Sequence, residues 1–267
     1  MIINHNFKKL ASIRKRPINL NKMAVNPFPG ADIGIPLSIF QYAYTSLHYG
    51  ENIVNVKSIL LEFLVGFYAY GLDRYRDAEL YKELNFNTTK TELYEYINDN
   101  SGNIASALLV SKIAIFMLLA NNILLYSPFL ITIETIPYYN EIKKSIGQYK
   151  AAYIAFLWTA SAVILPAVIH DQNYDILLYP LDYLPCTLTL FAASNIADNK
   201  DVVEDRDNNI NTIPVVYGEK WSKIISLYAL LLSSFLLAIN PHFLENQSIG
   251  SALELQNSLV AALPLIF

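Results

Sequence analysis

Apolar residues run along this chain in long blocks, not in the every-other-residue alternation of a half-buried strand. A helix that crosses a bilayer needs roughly 20 mostly apolar residues, within a range of about 17–25. Eight segments meet or approach that length: 33–49, 54–72, 104–120, 122–139, 151–170, 174–195, 221–240 and 250–267. The first is the most polar. The third and fourth form one apolar stretch divided at Asn121-Asn122. The fifth and sixth are divided at His170-Asp171-Gln172-Asn173. Both breaks use turn-favouring residues, so the pattern predicts short helical hairpins. Pro128, Pro137, Pro166, Pro180, Pro185 and Pro264 fall in or near spans. Prolines are tolerated there when neighbouring helices satisfy the freed carbonyls. The expected fold is an all-α, multi-pass transmembrane helix bundle of about eight to nine spans over residues 33–267, preceded by a basic arm over 1–32.

Composition supports a membrane class. The 267 residues are 54% hydrophobic and 16% charged, against about 25% charged in soluble domains. A net charge of −4 argues against a nucleic-acid partner. Cys186 is the single cysteine, so no intrachain disulfide is expected, and the four histidines show no metal-ligand spacing. With eight spans, all of the 19 Lys and Arg residues except Lys57 and Lys112 fall on one side. That side should be cytoplasmic, or stromal or matrix in an organelle. The arm has no acidic residue before Asp32, as transit segments do, but it is not serine-rich. A cytoplasmic arm is the favoured reading, and no secretory leader is evident. Lys112 and Glu134 lie in consecutive spans and should pair or face the bundle interior, because an unpaired charge at the bilayer centre costs at least about 2.5–3.5 kcal/mol.

Two aspartate clusters carry the candidate chemistry. Asp73 and Asp77 close the second span four residues apart, which places both carboxylates on one helix face, with Glu62 three turns earlier on the same stripe. Asp198, Asp201 and Asp205 follow the sixth span at i, i+3 and i+7, again one stripe if the helix continues. Like charges at such spacings repel unless a cation lies between them. Mg²⁺ typically takes one or two carboxylates together with substrate phosphates and water. Two facing stripes can therefore hold Mg²⁺ and a diphosphate, with Arg74, Lys143, Lys144, Lys200 and Arg206 complementing its charge. The constellation suits heterolysis of an allylic diphosphate, whose carbocation aromatic faces stabilise by roughly 0.5–2 kcal/mol each. Tyr68, Tyr70, Tyr139, Tyr153 and Trp158 are the candidates among 19 tyrosines and 2 tryptophans. The bland readings are a solvated helix end, a hydrated acidic loop and ordinary aromatic packing.

At these residues the sequence resembles the UbiA superfamily of intramembrane prenyltransferases. Asp198-x-x-Asp201-x-x-x-Asp205-Arg206, followed by Asn211-Thr212-Ile213-Pro214-Val215 and Gly218, is similar to that family's second aspartate motif and the TLPV-like segment after it. Asp73-Arg74-x-x-Asp77 resembles the end of the first motif, and Tyr139-x-x-x-Lys143-Lys144 the tyrosine and basic pair after the fourth span. The resemblance covers roughly residues 16–267. It implies Mg²⁺-dependent transfer of a polyprenyl group from a prenyl diphosphate to an aromatic or other lipophilic acceptor within the membrane. It also implies that Asp73, Asp77, Asp198, Asp201 and Asp205 hold metal and diphosphate, with Tyr139 beside the substrate, whereas Tyr70 is a substrate-side candidate by its aromatic face and stands where the family often has a polar or acidic residue. Three features depart from the family pattern. Ala69 stands where the first motif usually begins with Asn, the loop after Asp77 lacks an arginine-rich RxRP-like segment, and eight spans are read where nine are usual. A non-catalytic protein of the same fold, binding a lipid, pigment or protein partner, is the alternative.

Overall fold

The computed structural model describes residues 29–49, 55–84 and 90–240. The candidate span 250–267 and nearly all of the basic arm lie outside them. Among the described residues every regular element is helical, with no strand. The order is α1 (Ala31–Tyr49), α2 (Val56–Leu84), α3 (Thr91–Asp99), α4 (Ser101–Leu119), α5 (Ile123–Thr135), α6 (Tyr139–Ile146), α7 (Lys150–Thr159), α8 (Leu165–Asp171), α9 (Leu184–Asp198), α10 (Val202–Asp207), α11 (Ile213–Tyr217) and α12 (Glu219–Ile239). Two helical stretches are long and apolar enough to cross a membrane, Ser101–Asp171 and Glu219–Ile239.

The breaks fall where turn chemistry places them. A 3₁₀ turn spans Ala120–Asn122, and the Asn122 side chain accepts from the Leu125 N–H to cap α5. Gln172 ends α8 in the left-handed conformation at φ 56°. Pro137 opens a 3₁₀ turn over Ile136–Tyr138 that ends α5 early. The stretch from 174 does not start as the α-helix its apolar run predicts. It forms 3₁₀ turns at Asp175–Leu178 and Pro180–Asp182, and α9 begins only at Leu184. Pro180 and Pro185 each lack the N–H that an earlier helix start would use.

The helices pack as a chain of neighbours: α12 on α9, α9 on α7, α1 on α2, and α2 on α3 and α4. The α9–α12 seam is polar and buried. Asn195 Nδ2 donates to Ser222 O and to Ser226 Oγ, both at 2.9 Å, and Thr189 and Ser233 hydroxyls meet at 3.0 Å. Small residues let α1 and α2 touch backbone to backbone: a Cβ on Gly66 would stand 2.8 Å from Gly34 Cα. Lys112 and Glu134 do pair, at 2.8 Å, but on the outer face, with the Glu134 side chain about half exposed.

Candidate functional site

Helix α2 continues well past the second apolar block, to Leu84, so Asp73 and Asp77 share a helix face as their spacing predicts. The second cluster differs from its expectation. Helix α9 stops at Asp198, the chain bends through 199–201, and α10 starts at Val202, so Asp198, Asp201 and Asp205 do not lie on one continuous helix. They are gathered instead by the bend and by lysines from other elements. Asn209 takes the left-handed turn conformation at φ 58° that its side chain tolerates.

A cavity of about 240 Å³ lies between α2, α4, α5, α7 and α9. Asp73, Asp198, Asp201 and Lys150 line one end of it. Val65, Ala69, Ile115, Leu119, Ile133 and Leu157 make most of the remainder apolar. Tyr70, Tyr139, Tyr153 and Trp158 contribute aromatic surface, and Tyr70 stacks on Trp158 with ring centroids 5.5 Å apart and planes 8° from parallel. Tyr68 is buried but is not part of this lining. Both aspartate clusters thus reach the polar end of one mainly apolar chamber.

Three lysines stand among the carboxylates. Lys150, buried at the start of α7, lies 2.8 Å from Asp198 Oδ1 and 3.4 Å from Asp205 Oδ2. Thr212 Oγ1 donates to the same Asp205 oxygen at 3.2 Å. Lys143 Nζ is 3.7 Å from Asp73 Oδ1 and sits 5.5 Å from the centre of the Tyr139 ring. Lys90 lies 3.6 Å from Asp201 and 3.4 Å from Glu204. Burial pushes the Asp77 carboxyl up to about 6, and neighbouring Asp73 adds to the shift. Burial likewise raises Asp198 to about 6 despite the opposing pull of Lys150, and it raises Asp205.

The other basic candidates are not part of the cavity lining. Arg74 turns away to pair with Asp32. Lys144, Lys200 and Arg206 are exposed. Lys90 and Lys150 are the cations that sequence reasoning missed as site residues. A lysine directly ahead of an apolar span was the signal for Lys150, since such a residue is buried only when paired. Nothing around Lys90 marks it.

The donor set suits a hard cation. Every candidate ligand is a carboxylate oxygen, and Asp73 Oδ1 is buried with no hydrogen-bond partner, its contact to Lys143 being too long for one. Among the described residues no three acidic, His or Cys side chains converge on one cation position. Mg²⁺ needs only one or two carboxylates when phosphate oxygens complete its shell. Compared with known proteins, the chain matches no family model, no curated protein and no solved structure.

Proposed function

We propose that this chain is a multi-pass membrane prenyltransferase of the UbiA type, moving a prenyl group from an allylic diphosphate to a lipophilic acceptor. The observation that carries the reading is the shared cavity, with Asp73, Asp198, Asp201 and Lys150 at one end and an apolar, aromatic body beyond them. A diphosphate fits the charged end, and a hydrocarbon chain fits the rest. In this reading the α-helical segments form eight spans with all five motif aspartates on the basic, cytoplasmic-type side.

Asp73, Asp77, Asp198 and Asp201 would hold Mg²⁺, which when bound neutralises diphosphate charge and eases its departure. Lys143, Lys150 and Lys90 lie within reach of the same carboxylates and supply positive charge to the phosphate oxygens. As the allylic C–O bond breaks, the electron pair leaves with the diphosphate. The faces of Trp158, Tyr70 and Tyr139 then stand beside the allylic cation. The apolar lining keeps water from that carbon until the acceptor bonds to it and releases its proton.

The non-catalytic alternative draws on two observations. Ala69 adds a methyl group to the cavity lining where the family usually has Asn, and Lys150 already pairs with Asp198 and Asp205. One assay separates the readings. Membranes containing the protein are incubated with radiolabelled prenyl diphosphates and an acceptor panel, with and without Mg²⁺. Transfer that needs Mg²⁺ and is abolished by Asp73→Asn or Asp201→Asn supports the enzyme. No turnover with any acceptor, and ligand binding unchanged by Asp201→Asn, supports the binding protein.

A further inference from the structure

We infer that Glu62 and Ser161 form a polar end-stop that sets the longest prenyl chain this cavity accepts, an inference that rests on the prenyltransferase reading. Glu62 is 1% exposed and lies in the middle of the apolar part of α2. Ser161 Oγ donates to its Oε1 at 3.3 Å, while Oε2 is buried with no hydrogen-bond partner. The same Ser161 hydroxyl is 3.3 Å from Trp158 O, so one proton serves two acceptors. A carboxyl so poorly satisfied at this depth costs stability, and ionisable groups kept inside a membrane bundle are functional candidates by default.

Its position relates it to the cavity. Ser161 lines the chamber and belongs to a π-helical turn, Ala160–Ile164, between α7 and α8. Such turns are rare and recur at functional sites. Glu62 precedes Asp73 by eleven residues of one continuous helix, which at ~1.5 Å per residue is about 16 Å. Ser161 follows Lys150, the cation at the charged end, by the same number of residues. Ser161 therefore stands at the far end of the chamber from the diphosphate position, in the same wall as Leu119 and Leu165, with Glu62 bonded behind it.

Beyond Glu62 the next buried contact on this face of α2 is again polar. Ser58, one turn earlier on the same face of α2, accepts from Gln41 Nε2 at 3.0 Å, and both residues are buried. Gln41 Oε1 is also without a hydrogen-bond partner. A chain longer than the chamber must press its terminal methyls onto Ser161 and displace its hydrogen bond to the Glu62 carboxyl, which lies behind it and outside the lining. The methyls offer nothing in exchange.

The test measures affinities of geranyl, farnesyl and geranylgeranyl diphosphate for the purified full-length protein with Mg²⁺, and compares the ratio of longer to shorter chain across variants. Glu62→Ala, which removes the obstruction, and Glu62→Leu, which keeps the volume without the carboxyl, should each raise that ratio about tenfold, equivalent to about 1.4 kcal/mol. Glu62→Gln keeps size and polarity and should hold the ratio within about twofold, or about 0.4 kcal/mol. The leucine variant carries the test if the alanine variant does not fold. A ratio unchanged in the folded Ala or Leu variant overturns the end-stop while leaving the prenyltransferase reading intact. Failure of the wild-type protein to bind any of the three diphosphates overturns that reading itself, and the end-stop with it.

Discussion

Lys150 shows how much of the site depends on a single side chain. Its ammonium is held between Asp198 and Asp205 with little exposure of any of the three groups. Removing one partner of such a cluster leaves an uncompensated buried charge and costs about 3–5 kcal/mol. Lys150→Met should therefore destabilise the protein by that order in detergent melts, and adding Asp198→Asn should recover part of the loss. A purely additive double variant would show that the two residues do not interact. The carboxylates also make the site sensitive to pH. Asp77 and Asp198 are raised from an ordinary 3.8 to about 6. Between those values the folded protein holds protons that the unfolded chain gives up, so their contribution to stability falls as pH rises through that window. A divalent cation needs the deprotonated form, so its binding displaces those protons. Stabilisation by Mg²⁺ should accordingly grow from about pH 5 to about pH 7. A shift in melting temperature on adding Mg²⁺ that is flat across this range would remove these two carboxylates from the metal site.

At the scale of elements, two kinds of helix contact can be set against each other. Gly66 meets the backbone of Gly34, which has no side chain to move aside. Gly66→Ala must push α1 from α2 and should destabilise by about 1–3 kcal/mol, the usual cost of overpacking. A Cβ on Gly102, in the first turn of α4, meets nothing within 4 Å, so Gly102→Ala should be neutral or stabilising by up to about 1 kcal/mol. Equal melting temperatures for the two variants would show that the α1–α2 contact is loose. The sequence announced the element boundaries that rest on local chemistry: the Asn121-Asn122 break and the end of α8 near His170-Asp171. It did not announce the interruption of the helix after Asp198. An i, i+3, i+7 pattern is equally compatible with a stripe and with a bend, and here residues from α7 and the 90s decide which side chains meet. For the same reason Arg74 could be placed near the aspartates by spacing, although its partner is Asp32, 42 positions away along the chain.

On the scale of the whole molecule, one helix measures the bundle. Lys57, near the start of α2, contacts Asn121 at 3.1 Å and the Tyr126 ring, whereas Asp77 lies twenty residues further along the same helix. At ~1.5 Å per residue that separation is about 30 Å, the thickness of a bilayer's hydrocarbon core. The Lys57–Asn121 end and the aspartate end are thus spaced as two membrane faces would be. Lys90, Lys143 and Lys150 collect at the aspartate end, which in the proposed reading is the cytoplasmic-type side. This spacing makes a sidedness prediction that needs no enzymatic activity. Cys186 is buried, so a Cys186→Ser background removes the only native thiol without exposing a new surface. Single cysteines replacing Lys144 or Arg206 report the aspartate face, and one replacing Asn173 reports the opposite face; all three native residues are exposed. In vesicles of known orientation, a membrane-impermeant maleimide should label Lys144→Cys and Arg206→Cys from the cytoplasmic-type side only. It should label Asn173→Cys only from the other side. Labelling of all three from one side would mean that the stretch 150–171 does not cross the membrane. The aspartate cavity would then open into a helical protein lying on one face, where an apolar chamber shielded by lipid has no meaning.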